Sequence, residues 1–233
     1  MPTAIVIDGA FFLRRFRHAF PDHDPKDPAD VADGVRLLAL FHAQIRDKAD
    51  WAYKDDIVES DLLYRIFFYD CAPLKKKMHR PISKRSIDLA KSDDAVFREA
   101  VHRQVQTIRK VALRLGRLND TSVWRLKETS TEQLVSSAGS FQPQDEDFEI
   151  DTKQKGVDMR LGLDVASMAF KRQVDQIVIV AADADFVPAA KLARREGIDV
   201  VLDRMGDNRA AKDLIEHVDG IRDCLMTRLD RVV

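Results

Sequence analysis

Short apolar runs alternate with segments of helical periodicity along most of the chain. Residues 4–7 (Ala-Ile-Val-Ile) are β-rich and stop at Asp8-Gly9, which predicts a buried strand followed by a turn. Apolar residues at helical spacing predict a helix over 31–48. Residues 62–69 have the aromatic and β-branched content of a second strand, so the chain opens in a strand–helix–strand order.

The middle of the chain is predicted as one long helix and one short strand. Apolar residues recur at helical spacing from 94 to 115, and Gly116 follows where a helix-ending glycine belongs. Residues 121–126 are interpreted as a third strand. We interpret 73–93 as a basic loop and the polar segment 129–152 as an exposed, mobile insertion.

The last third of the chain shows the clearest alternation of helices and strands. A helical run opens near Asp158 and continues through Phe170, and a second helix is predicted over 183–196. Apolar runs at 176–181 and 198–202 predict buried strands, and 210–233 is expected to supply a short element and a terminal helix.

Helices between strands imply a mainly parallel sheet with right-handed crossovers. We therefore predict one domain over 1–233 with a three-layer α/β/α, Rossmann-like architecture. The 233 residues are 45% hydrophobic and 33% charged, which excludes collagen-like and wholly disordered chains. Because 38 Lys and Arg face 39 Asp and Glu, any attraction to nucleic acid must come from local patches.

The cysteines and the N-terminus bear on the cellular compartment. Cys71 and Cys224 have no partner at metal or redox spacing, which supports neither a disulfide framework nor a zinc site. The first residues form no basic leader, and no stretch reaches the roughly 18 apolar residues of a membrane span. We expect a cytoplasmic protein with no membrane partner.

Four aspartates are candidates for one acidic site. Asp8 ends the first predicted strand, while Asp183 and Asp185 follow the strand at 176–181. Ligands of an open parallel sheet bind at the carboxyl ends of its strands, and Asp158 opens a helix that can begin at the same edge. Clustered carboxylates stay ionised only beside a cation, and hard divalent ions prefer oxygen ligands. We therefore expect Mg²⁺ or Mn²⁺, which supports two-metal phosphodiester hydrolysis.

Each of these aspartates also has a purely structural explanation. Asp8 before Gly9 is typical of a turn, Asp158 of a helix N-terminus and Asp185 of a helix N-cap. Asp183 has the weakest such explanation, because an acid directly after a buried strand has little packing purpose. Asp164 lies six residues after Asp158 on a flanking or opposite helix face. We therefore expect it to contact the metal ligands rather than the metal itself.

A basic tract supplies candidate phosphate contacts. Residues 73–85 contain six basic residues and no acid: Lys75, Lys76, Lys77, Arg80, Lys84 and Arg85. Such a tract can neutralise phosphates, although a solvated loop has the same composition. Lys155 is a further candidate beside Asp158. Motifs for binding nucleoside triphosphates or dinucleotides and for serine hydrolysis are absent from the sequence.

Three motifs together resemble the NYN domain family, the LabA-like branch of the PIN-like metal-dependent nucleases. They are Ile-Val-Ile-Asp8-Gly, Lys-Gly-Val-Asp158-Met-Arg-Leu-Gly-Leu-Asp164 and Ala-Ala-Asp183-Ala-Asp185-Phe-Val-Pro. The resemblance implies a PIN-like fold, a magnesium or manganese site and ribonuclease activity. By motif position it makes Asp8, Asp158 and Asp183 metal ligands and Asp185 a fourth, and it makes a homodimer possible.

The chain departs from the family pattern at two places. Family members often carry an Asn shortly after the first Asp-Gly, where this chain has Ala10, Phe11 and Phe12, and Ala181 or Ala182 replaces a serine. A domain that binds RNA or a protein without cutting therefore stays open as an alternative to a metal-dependent ribonuclease. A Toprim-type enzyme ranks behind both, because such sites place a glutamate where this chain has Asp8.

Overall fold

The computed structural model describes residues 2–45, 62–137 and 140–226. The strands are β1 (Thr3–Asp8), β2 (Leu63–Cys71), β3 (Lys77–His79), β4 (Ser86–Asp88), β5 (Val111–Leu126), β6 (Phe148–Lys155), β7 (Gln176–Val180), β8 (Asp199–Asp203) and β9 (Gly220–Arg222). The α-helices are α1 (Gly9–Ala19), α2 (Pro28–Ile45), α3 (Asp93–Thr107), α4 (Glu128–Ser136), α5 (Val157–Phe170), α6 (Val187–Arg195) and α7 (Lys212–Glu216).

Seven strands form one sheet in the order β6-β5-β2-β1-β7-β8-β9. In this sheet, all strands except β6 run parallel to one another, and β6 at the edge is antiparallel to β5. Alternating strand residues enter two hydrophobic cores. Ile5 and Phe68 belong to the core beneath α1, α2 and α3, whereas Val6 and Tyr69 belong to the core beneath α5 and α6. The predicted three-layer α/β/α fold is confirmed.

One predicted turn is instead the start of a helix. Gly9 is the first residue of α1, and Asp8 caps that helix. Phe12, Phe16 and Phe20 are fully buried at four-residue spacing, so α1 covers the sheet with an aromatic face. The helix predicted over 31–48 is α2, and its last three predicted residues lie outside the described part of the chain.

The long helix predicted over 94–115 is wrong in its second half. Helix α3 ends at Thr107, and β5 begins at Val111. Gly116 therefore does not end a helix; it pairs with Cys71 within the sheet. The strand predicted at 121–126 is the far end of β5. The predicted terminal helix at the end of 210–233 falls largely outside the described residues, which show α7 and β9 in this region.

The two predicted loops carry secondary structure. Segment 73–93 contains the antiparallel β3–β4 hairpin and a short 3-10 turn. Segment 129–152 contains most of α4, a 3-10 turn and half of β6, with 138–139 outside the described residues. None of the described helices combines the length and hydrophobicity that crossing a membrane requires.

Candidate active site

The order of the strands reverses between β1 and β7. The chain leaves β1 toward β2 on one side of the sheet, and it leaves β7 toward β8 on the other. Such a reversal opens a crevice at the carboxyl ends of the two central strands, which is where ligands bind in open α/β sheets. Asp8 is the last residue of β1, and Asp183 comes three residues after the end of β7. Both aspartates therefore lie at this crevice.

Asp8 is a partly buried carboxylate at the start of α1. One of its oxygens accepts hydrogen bonds from the backbone N–H groups of Ala10 and Phe11, at 2.9 and 3.1 Å. Burial raises the pKa of the Asp8 carboxyl above its ordinary value, against the opposing effect of these donors and of Arg14, and the charge of Asp70 adds to the rise. The negative charge on Asp8 is thus incompletely compensated, which suits a cation ligand.

Asp183 and Asp185 lie on the solvent side of the crevice. Both side chains are exposed. Asp183 caps the 3-10 turn Ala184–Phe186 by accepting from the backbone N–H of Asp185 at 3.4 Å. The residue that caps this turn is thus Asp183 rather than the predicted Asp185. The exposed carboxylate of Asp183 is accessible from solvent.

The backbone of Asp158 starts at the same edge of the sheet. Lys155 ends β6 opposite Arg117, and the neighbouring Gly116 pairs with Cys71 at the carboxyl end of β2. Helix α5 begins two residues later and contacts the turn that carries Asp185. The side chains of Asp158 and Lys155 are not described, and the described residues alone bring no three acids, histidines or cysteines together as a metal site.

Asp164 lies inside α5 rather than at the crevice. It accepts a hydrogen bond from the Tyr69 hydroxyl at 2.8 Å, and Arg114 Nε donates to the same oxygen at 2.8 Å. Burial and the Asp164 carboxylate raise the pKa of the Tyr69 phenol far above its ordinary value. Since Tyr69 pairs with Asp8 across β1 and β2, this network fixes the strand end beside Asp8.

Asp70 is a buried acid that the sequence reasoning passed over. Asp70 follows Tyr69 in β2, and its side chain is fully buried. Its carboxylate accepts a hydrogen bond from Arg98 Nη1 at 2.9 Å and contacts His102 Nε2 at 2.8 Å. Its position after a buried strand is the same signal that selected Asp183. Because Arg98 and His102 already engage its oxygens, Asp70 is a poor metal ligand and instead anchors α3 to the sheet.

The basic tract lies on the β3–β4 hairpin and on the segment that joins it to β2. Four of its six basic residues, Lys75, Lys77, Lys84 and Arg85, are exposed, and two, Lys76 and Arg80, are partly buried. The hairpin is held by the acidic turn 145–147: Asp145 accepts from the backbone of Ile82 and Ser83, and Arg80 lies 3.9 Å from Glu146. The Ser83 hydroxyl is the main group that holds the pKa of Asp145 low.

One comparison with known protein families agrees with the motifs. The model of the NYN domain family matches residues 87–225. A solved structure of a protein of unknown function from Vibrio parahaemolyticus is similar in fold, with 15% sequence identity, a TM-score of 0.47, and coverage of 95% of this chain and 91% of that chain. A search of curated proteins finds no match. The family match spans more than half of the chain, from β4 to the end of the sheet, and the chain therefore belongs to the NYN domain family of PIN-like nucleases.

Proposed function

We propose that this NYN domain is a ribonuclease that hydrolyses RNA phosphodiesters with the help of Mg²⁺ or Mn²⁺. The observation that carries the proposal is the position of Asp8 and Asp183 on the two strands that flank the reversal of strand order. Membership in a nuclease family supports the reaction class. The exposed basic hairpin on the same side of the sheet supports a polyanionic substrate.

The residues present suit a hard divalent cation. Asp8 offers a carboxylate oxygen without hydrogen bonds from described residues, in surroundings that raise its pKa, and Asp183 offers an exposed carboxylate nearby. Asp158 is assigned to the same metal from its place at the start of α5. When bound, the metal would activate water and stabilise charge on the phosphate.

The remaining roles belong to the protein's own side chains. Asp185 completes the site or orients the attacking water, since it follows Asp183 on the exposed turn. Lys75, Lys76, Lys77 and Arg80 hold the RNA backbone through the hairpin. Asp164 supports the site indirectly through Tyr69, and it does not touch the metal.

The decisive experiment incubates the purified protein with labelled single-stranded RNA, structured RNA and matched DNA. Mg²⁺, Mn²⁺ or EDTA is added, and Asp183→Asn is tested beside Glu196→Gln, an acid at the end of α6 near the opposite edge of the sheet. We expect metal-dependent RNA cleavage that is lost in Asp183→Asn and kept in Glu196→Gln. Full activity of Asp183→Asn would contradict the assignment.

One observation favours a second candidate, an RNA-binding domain without cleavage. The family's frequent Asn after Asp-Gly has no counterpart here, because Phe11 and Phe12 are buried in the core beneath α1. Neither side chain can orient a metal or a water. RNA that is bound but not cut under any metal condition, with no rise in melting temperature on adding Mn²⁺, would favour this candidate.

A further inference from the structure

A cavity of about 550 Å³ lies between the basic hairpin, the start of α3 and the extended β5–β6 hairpin. This volume falls within the range of pockets that hold small organic ligands. Cys71, at the carboxyl end of β2, is one of its lining residues. With strands ~4.8 Å apart and ~3.3 Å per residue, the Cα of Cys71 lies roughly 8 Å from that of Asp8. The cavity is thus a close neighbour of the proposed metal site.

The walls combine apolar surface with two arginines. Leu74, Leu118 and Ile150 supply aliphatic surface, and the indole of Trp124 lines the cavity beside them. The Trp124 ring is fixed, because its Nε1–H donates to the carbonyl oxygen of His79 at 2.9 Å. A flat aromatic ligand fits such a wall, since bases stack on or pack against rigid aromatic and aliphatic side chains.

The two arginines of the wall differ in how firmly neighbouring acids hold their guanidinium groups. Arg98 is held by the buried Asp70 through Nη1, and its Nε lies 3.6 Å from Asp94, an acid that also lines the cavity. Its Nη2 donates to no described residue. Arg80 lies 3.9 Å from the exposed Glu146, and its charge also helps to hold the pKa of Asp145 low. The cavity therefore offers donors for base oxygens, ring nitrogens or a phosphate, next to an apolar surface.

We infer that this cavity binds the base of an unpaired nucleotide next to the phosphodiester held at the crevice. The inference rests on the proposed function for its choice of ligand, because the basic hairpin that is proposed to contact RNA supplies Arg80 and Ile87 to the cavity wall. A base can enter an apolar slot with arginine donors only after it has left a stack, so the cavity would discriminate unpaired from paired nucleotides.

The test measures the binding of nucleoside monophosphates by calorimetry in EDTA, where neither metal nor cleavage contributes. Ribose 5-phosphate serves as the base-free comparison, and we expect it to bind about tenfold or more weakly, since stacking accounts for that much per base. Ile87→Trp fills the cavity, whereas Ile82→Trp alters a half-exposed residue of the same hairpin outside it. We expect at least tenfold weaker nucleotide binding in Ile87→Trp and less than twofold change in Ile82→Trp.

Fluorescence locates the bound base. The chain has two tryptophans, so a Trp51→Phe background leaves Trp124 as the reporter. Saturable quenching by nucleotides but not by ribose 5-phosphate would support the inference. Equal binding of the two ligands, absence of nucleotide binding, or unchanged binding in Ile87→Trp would overturn it, even if RNA is cleaved. Nucleotide binding in a protein that cuts no RNA would retain the cavity assignment and remove the nuclease.

Discussion

Gly9 provides a direct test of how the active-site edge is packed. A Cβ placed on Gly9 would lie 2.7 Å from Cε1 of Phe68 and 2.8 Å from the backbone carbonyl oxygen of Tyr69. The Phe68 ring is fully buried, and the Tyr69 carbonyl belongs to β2, so neither can move away without disturbing the sheet. Gly9→Ala is therefore an overpacking substitution, which costs about 1–3 kcal/mol.

Gly162→Ala is the matched control for the same chemical change. Gly162 lies within α5, and nothing lies within 4 Å of an added Cβ. Alanine in a helix interior is favoured over glycine by about 0.5–1 kcal/mol. The free energies of unfolding of the two variants should thus differ by about 1.5–4 kcal/mol, with opposite signs relative to the wild type. For a domain of this size, this separates their melting temperatures by on the order of 10 °C.

The assay is thermal unfolding followed by circular dichroism, with urea unfolding to obtain the free energy. Gly9→Ala melting at or above the wild-type temperature would refute the close approach of α1 to β2. Because Gly9 directly follows Asp8, the same shift should also weaken any Mn²⁺-induced rise in melting temperature. Gly162→Ala, which leaves Asp8 in place, should keep that rise.

Two further predictions concern the networks on either side of β2. Tyr69 should keep its proton in the range around pH 10 where a solvated phenol ionises, since burial and Asp164 disfavour the phenolate. An ultraviolet titration should therefore show equal amplitude near pH 10 for wild type and Tyr69→Phe, and a loss of one tyrosine in the variant would contradict this. Asp70→Asn should destabilise the protein by about 3 kcal/mol, because it removes the carboxylate that Arg98 and His102 share. A loss of free energy below about 1 kcal/mol in urea unfolding would argue against that network.

The strands that form the crevice were predictable because each is a short apolar run that ends in a turn signal. Strands β1, β7 and β8 were located to within one or two residues for this reason. The boundary between α3 and β5 was not predictable, because the apolar residues from 108 to 115 fit both a helical and an alternating pattern. Pairing of Phe68 with Leu113 in the sheet decides the outcome, and a single sequence does not contain that pairing.

The errors around α1 and Asp70 had signals in the sequence. Phe12, Phe16 and Phe20 recur every four residues after Asp8, which is the pattern of an amphipathic helix with an aspartate cap. Asp70 follows a buried apolar run, as Asp183 does. What the sequence could not give is the difference between them: Arg98 and His102 neutralise Asp70, whereas Asp183 stays exposed.

The place of Asp8 in the site depends on topology more than on the family match. The matched region begins at residue 87, so it contains Asp158 and Asp183 but excludes β1 and the first motif. The sheet order then inserts β1 between β2 and β7, which brings Asp8 to the crevice beside the turn that carries Asp183. One oxygen of Asp8 caps α1 by accepting from the N–H groups of Ala10 and Phe11, and this cap stabilises the helix. Burial at the same place raises the pKa of the carboxyl. The cap leaves the other oxygen for the cation that we propose.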